Sequence, residues 1–482
     1  VLATGSASPF ALSAPELERL ESLLIRAVGR ARRTGSQTLV TLSLERPGEL
    51  DVSAVVCASR REGEPWFVFE QPDHGGAAIA GLGETVGFTA EGEQRFSSVS
   101  ERWRALVADA VFDARRDPHG GGPLAFTGFA FAPDGARTPQ WKGFQPASLT
   151  VPELAFSRRA QEGSSALCMT LAALAAPDDL PEDLLARLTG RLGELRSTPL
   201  PLLDPSPAGR TVLSSVMPPE HYEAAIARAV EMIAAGRLEK IVLAREVAVH
   251  SPVNLDPAAL FGVLRDEFRS CFVFCVGRGD ATLVAASPEL LVRREGQRVS
   301  TLGLAGSTRR SADPAVDDHL GERLMRSVSH REEHAIVVRR IERALRPHAV
   351  WIASAPEPAV VRIANIQHLA TPIRAQLAEP LDVLTLAGHL HPTPAVGGEP
   401  FAVAAPLIPA LEGLDRGWYS GPVGWTDATG DGELCVALRC ALLRGGEARC
   451  YAGNGIVAGS EPAAELAETE VKLTALLPLL AG

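Results

Sequence analysis

An α+β fold is what this sequence predicts, and three observations predict it. Strand-like and helix-like stretches come in blocks rather than in strict β-α alternation, which argues against a parallel, doubly wound sheet. The run GPVGWTDATGDGELCVALRCALLRGGEARCYAGNGIV, residues 421–457, reads as successive hairpins with glycine-containing turns. Long amphipathic patterns stand on either side of such strand blocks, with apolar residues at helical spacing.

The elements follow in chain order. TLVTLSL (38–44), SAVVCAS (53–59), EPWFVFE (64–70) and FTGFAFAP (126–133) are rich in β-branched and aromatic residues and read as strands. Ser98–Arg116 and Pro181–Arg196 read as amphipathic helices. STPLPLLDPSPAGR, residues 197–210, carries four prolines and reads as a linker or extended crossing. Residues 218–236 form a helix that hands over to the strand IVLAREVAVH, so Lys240 sits at that junction. FVFCVGRG and ATLVAAS read as paired strands, and LLVRREGQRVSTLGL as a hairpin turning at Glu295-Gly296. Residues 314–346 read as one long helix, and Pro462–Leu480 as a final helix with proline near its start.

Composition narrows the function classes. The chain has 482 residues, 46% hydrophobic and 22% charged, with a net charge of −11. That suits a globular protein with large cores and disfavours binding to a nucleic-acid backbone. The seven cysteines, at 57, 168, 271, 275, 435, 440 and 450, have neither a disulfide-framework nor a zinc-finger spacing, which fits a reducing cytoplasm. The N-terminal VLATGSASPFALSAP lacks the marks of a signal peptide, and no apolar run is long enough for a transmembrane helix, so no membrane partner is expected.

Five constellations could carry chemistry. Only three lysines, at 142, 240 and 472, occur among 47 basic residues. Arginine stays charged, whereas a lysine can be tuned to lose its proton, so Lys240 is either a base or an ordinary exposed lysine. Glu461, Glu465, Glu468 and Lys472 follow at spacings that place all four on one helix face, either a solvated acidic face or an oxygen-ligand set suited to Mg²⁺. His330, Glu333 and His334 spell H-x-x-E-H, an inverted zinc-peptidase pattern or a mixed polar helix face; Glu333 alone could instead serve the metal of the last helix. Glu289 stands in an apolar stretch, where burial would raise its pKa and make it a proton donor. Arg439, with the small-residue turns LAGS (304–307) and YAGNG (451–455), could capture an anion.

Taken in order, KIVLAR, ASPELLVR, LAGSTRR, REEHAIVV, IQHLATPI, LHPTPAVGG, DRGWYSGPVGW, VALRCALL, YAGNGIV and AELAETEVKL resemble the chorismate-utilising enzymes over about residues 218–478. That family includes isochorismate, salicylate, anthranilate and aminodeoxychorismate synthases. The resemblance implies two packed antiparallel sheets with outer helices. Residues 1–205 would be the loosely matching N-terminal part of that unit and 206–482 the chorismate-binding catalytic region. It further implies that Lys240 is the general base that activates water and Glu289 the general acid. Mg²⁺ would be held by Glu333 and Glu468, with Glu465 an outer ligand. Gly306, Ser307, His368, Thr371, Ala395, Tyr419, Arg439, Gly453 and Lys472 match positions at the substrate. His330 departs from the acidic residue common at its position.

A lysine rather than a glutamine at 240 implies addition of water, not ammonia, with no glutaminase subunit. LHPTPAVGG, with Ala395 and Val396, resembles the isochorismate-synthase form, in which the reaction stops at isochorismate; the motifs look most like siderophore-pathway members. A salicylate synthase that goes on to eliminate pyruvate, and a silent chorismate-binding homologue, are the alternatives. A cytoplasmic monomer is expected.

Overall fold

A computed structural model describes residues 8–113, 121–158, 167–204, 209–363 and 365–481. Among them two large sheets form, and every pairing between their strands is antiparallel. The first sheet has twelve strands. Its path runs Thr38–Arg46, Leu167–Ala175, Leu154–Arg158, Ala77–Leu82, Trp66–Gln71, Phe272–Arg278, Ala281–Ser287, Cys440–Arg444, Glu447–Ile456, Lys240–His250 and Gly398–Glu399, with Val212–Ser215 also on Lys240–His250. The second has ten. Its path runs Ala349–Ser354, Ile366–Leu377, Arg298–Arg309, Leu290–Glu295, Gly432–Val436, Pro422–Asp427, Leu124–Phe129, Ala147–Val151 and Val86–Ala90, with Ala359–Arg362 also on Ile366–Leu377.

The sheets face each other across an aromatic core that includes Phe67, Phe126, Phe274, Trp141, Trp418, Tyr419 and Tyr451. Phe67 of the first sheet stacks on Phe126 of the second, centroids 4.3 Å apart; such a pair contributes about 0.5–1.5 kcal/mol beyond its area burial. Helices cover the outer faces. Ala14–Thr34, Val52–Ser59, Pro181–Gly193 and Pro257–Glu267 bury apolar residues in one outer core. Arg95–Ala108, Pro219–Ala234, Val328–Leu345, Val383–Leu390 and Phe401–Glu412 do so in the other. The α+β fold with two packed antiparallel sheets and outer helices is therefore as expected. All seven cysteines are buried, and no described helix is long and apolar enough to cross a membrane.

Several elements differ from the sequence expectation. SAVVCAS is a helix, Val52–Ser59, because the Asp51 side chain accepts the Ala54 N–H at its start and nearly every residue is buried; capping and all-round burial override β-branched propensity. The strand expected over 126–133 runs Leu124–Phe129. The helix over 98–116 runs Arg95–Ala108, and 114–116 lie outside the described residues, as do 1–7 and 205–208 of the N-terminal and linker stretches. The long helix is two, Pro314–Arg326 and Val328–Leu345, broken where extended Ser327 caps the second through the His330 N–H. The last helix is likewise divided, into Pro462–Leu473 and Leu477–Ala481. The hairpin at 290–304 turns at Gly296-Gln297, since Glu295 pairs with Arg298. The run of hairpins changes sheets between Gly432–Val436 and Cys440–Arg444, with Arg439 at the crossing.

One edge prepares the site. The strand Lys240–His250 is paired by Gly398–Glu399 only at Lys240 and Ile241 and by Val212–Ser215 only from Val247. Between them a buried ion pair stands in for a strand. Glu412 accepts the Ala244 N–H at 2.7 Å, and Arg416 donates to the Val242 and Val396 carbonyls at 2.9 and 2.8 Å.

Candidate active site

A cavity of about 400 Å³ opens between the strands Arg298–Arg309 and Glu447–Ile456 and the helices Val328–Leu345 and Pro462–Leu473. Twelve expected site residues line it: Glu289, Gly306, Ser307, Glu333, His368, Ala395, Tyr419, Arg439, Gly453, Glu465, Glu468 and Lys472. Lys240 and Thr371 do not. Thr371 lies behind the wall, its hydroxyl 2.7 Å from His334 Nε2. Lys240 lies one layer below and is fully buried, with Nζ 2.8 Å from Glu333 Oε1. Gly455 does line the cavity, and a Cβ there would come within 2.6 Å of Lys240 Cε and 2.9 Å of Nζ. Glycine at 455 keeps the space these groups occupy.

Glu289 follows the strand Ala281–Ser287 and is 3% exposed. Burial pushes its carboxyl up to about 8, against the pull of Lys240 and a hydrogen bond with Thr393. A carboxylic acid neutral at pH 7 on a cavity wall is poised to give a proton. The exposed-turn alternative is gone.

The opposite charges collect nearby. Arg439 is buried, with φ of 48°, a backbone conformation that costs an arginine of order 1 kcal/mol. Its Nη2 contacts His368 Nε2 at 3.4 Å, and no carboxylate among the described residues pairs with it. Burial and the neighbouring Arg439 hold His368 well below the usual histidine range, so its ring is neutral. A buried guanidinium left without an anion is costly unless a ligand supplies one. Tyr419 stacks on Tyr451 beside it, centroids 5.1 Å apart.

The carboxylates form the remaining wall. LAGS and YAGNG are strand segments rather than turns; Gly306, with φ of 74°, makes a bulge that turns Ser307 toward Glu468. Ser307 Oγ donates to Glu468 Oε1 at 2.6 Å, and Lys472 Nζ lies 2.8 Å from the same oxygen. Burial works to raise Glu468, but Lys472 and Ser307 hold it below the usual carboxylate value. Glu333 is likewise held low against burial by Lys240 and by His330, whose Nδ1 stands 3.9 Å away. Glu465 is raised, by burial first and then by Glu468.

Among the described residues no three His, Cys, Asp or Glu side chains stand close enough to hold a metal by themselves. With His334 committed to Thr371, the H-x-x-E-H stretch forms no zinc centre. Glu333, Glu465 and Glu468 nonetheless give one wall an all-oxygen donor set with mutual repulsion. That chemistry fits Mg²⁺, which takes one or two carboxylates and completes its shell with water and substrate oxygens. Three residues here escaped the sequence reading: Thr393, which bonds Glu289; Ser329, on the lining; and Asn454, which ties Glu465 to Lys472. Thr393 and Asn454 stand inside LHPTPAVGG and YAGNGIV, but nothing in those stretches says which partner each reaches.

The chain is 37% identical to the salicylate biosynthesis isochorismate synthase of Pseudomonas aeruginosa over 97% of this chain and 95% of that one. It is 32% identical to the isochorismate synthase MenF of Bacillus subtilis, over 84% and 85%. In structure it resembles MenF, the menaquinone-specific isochorismate synthase from Escherichia coli, with TM-score 0.76 and 26% identity over 95% of this chain and 100% of that one. Anthranilate synthase component I from Streptococcus pneumoniae shares the fold, with TM-score 0.63 and 20% identity over 82% and 91%. The sequence family described as chorismate binding enzyme matches residues 25–481, nearly the whole chain and all of the cavity lining, and the chain belongs to that family of enzymes.

Proposed function

We propose that this chain is an isochorismate synthase that uses Mg²⁺. The observation that carries the reading is Glu289, a carboxyl kept neutral on the wall of a cavity whose other groups suit a small dianion. Chorismate has two carboxylates. Arg439, with Tyr419 and the Gly453 backbone beside it, takes one, and Lys472 assists in holding the substrate. Mg²⁺ bound at Glu333 and Glu468, with Glu465 as an outer ligand, would neutralise the second and hold it in place. The relatives named isochorismate synthases support the same reading.

The reaction needs one base and one acid. Lys240, released from its pair with Glu333 as the free amine when a cation takes its place there, would take a proton from water as the oxygen attacks C2. The ring double bond shifts, the C4–O bond breaks, and Glu289 gives its proton to the leaving hydroxyl, so one water enters and one leaves. Ala395 and Val396 present apolar side chains where pyruvate elimination would call for a polar group at the substrate, which favours release of isochorismate. The motif likeness to siderophore-pathway synthases, and the relative named for salicylate biosynthesis, favour an aryl-acid pathway over a menaquinone one.

The test is incubation with chorismate, with and without Mg²⁺, and separation of the products. Isochorismate formed only with Mg²⁺, without pyruvate and without need of ammonium, is expected. Equal salicylate and pyruvate would make the chain a salicylate synthase, and no conversion would make it a silent binder.

A further inference from the structure

Asn454 belongs to neither the acid, the base nor the expected ligands, yet it touches both charged sets. It is 2% exposed, on the strand Glu447–Ile456, opposite Leu243. Its Oδ1 accepts from Lys472 Nζ at 2.6 Å. Its Nδ2 donates to the Glu465 carboxylate at 2.8 Å and to the Glu465 carbonyl at 2.7 Å. Lys472 Nζ also donates to the Gly453 carbonyl at 2.9 Å and lies 2.8 Å from Glu468.

Only an amide satisfies this arrangement. The partners fix its orientation, since the flipped group would point NH₂ at an ammonium and oxygen at a carboxylate. An aspartate would keep the acceptor for Lys472 but set a third carboxylate against Glu465 and Glu468. An alanine would leave the buried Lys472 ammonium and the half-buried Glu465 carboxylate each short of a partner.

We propose that Asn454 is a positioning residue that holds Lys472 at the cavity for the substrate carboxylate and fixes Glu465 beside the cation-binding carboxylates. The proposal rests on the chorismate reading of this cavity. It makes anion capture and cation capture depend on one buried side chain, without a part in the proton transfers.

Two variants separate the halves of the tie. Asn454→Ala is expected to raise KM for chorismate about tenfold, the value of one charge-assisted bond, with a smaller fall in kcat. Asn454→Asp is expected to keep KM within about twofold, because Lys472 keeps its acceptor, while Mg²⁺ binding by titration calorimetry shifts about fivefold or more as Glu465 is repelled. A purely structural asparagine would lower thermal stability in both variants and leave KM and Mg²⁺ affinity as in the parent; that result overturns the proposal. Should Asn454→Ala be recovered unfolded, Asn454→Asp still decides it. The calorimetry does not need turnover: a parent that binds Mg²⁺ but fails to convert chorismate overturns the functional reading, whereas a parent that converts it beside an unshifted Asn454→Asp overturns only the tie.

Discussion

At the scale of single residues, Glu289 makes the sharpest claim. Its folded-state value of about 8 lies above the ordinary carboxyl value of 4.5. Between those two pH values the unfolded chain has given up this proton and the folded chain has not. Stability contributed by this group is therefore present at low pH and falls through that window, by on the order of 5 kcal/mol. Glu289→Gln, which cannot ionise, should be inactive yet more stable than the parent at pH 8.5, with little difference at pH 5; urea unfolding at the two pH values checks this. Equal stabilities at pH 8.5 would show that Glu289 is not held neutral. In the parent, kcat should decline as pH rises through about 8, because the acid form is lost. Lys240 has two jobs. Lys240→Ala should abolish turnover and also cost about 3 kcal/mol, since Glu333 is left as a buried charge without its partner. A variant with turnover near the parent's would remove Lys240 from the chemistry.

At the scale of elements, the pairing of Lys240–His250 with Glu447–Ile456 puts Gly455 opposite Val242 and against the Lys240–Glu333 pair. A methyl group at 455 would press on the Glu333 carboxylate and the end of the Lys240 side chain, so Gly455→Ala should fold at an overpacking cost of about 1–3 kcal/mol. Displacing the base and a carboxylate by about an ångström should nonetheless lower kcat by about 100-fold. Thermal unfolding with steady-state kinetics separates the two; a variant with parental kcat would show that the spacing at 455 is unimportant. The strand at 240 was legible as an apolar run after a helix that ends near Gly236, the hairpins near the C-terminus from their glycine-containing turns, and the helix bearing Glu465, Glu468 and Lys472 from its repeated helical spacing. The short helix Val52–Ser59 was not, since a buried helix is apolar on every side and its period is hidden. The break at Ser327 was missed because one extended residue that caps the next helix leaves the apolar pattern almost in step.

At the scale of the whole molecule, the strands before residue 205 form one end of each sheet. They join the rest where Trp66–Gln71 pairs with Phe272–Arg278 and where Leu124–Phe129 pairs with Pro422–Asp427. A chain of residues 206–482 alone would expose both inner strands as open edges and uncover the shared aromatic core. It should therefore aggregate, even though the residues that line the cavity all lie within it. Recovery of a soluble, monodisperse 206–482 fragment by size-exclusion chromatography would instead mark it as an independent unit.

The sequence by itself determined the chemistry available to this protein: a rare lysine at a strand start, a glutamate in an apolar stretch, and carboxylates and a lysine stacked on one helix face. Residue type and local period are enough for that, because both are written along the chain. Tertiary structure alone decided which of these groups meet. It buried Lys240 against Glu333, left Arg439 without a carboxylate among the described residues, turned Thr371 away to His334, and set Asn454 between Lys472 and Glu465. Those contacts join residues from 11 to 93 positions apart in the chain, and they depend on strand register and on burial by both sheets. Neither quantity has a local signal, and together they fix where each charge stands and which carboxyl keeps its proton.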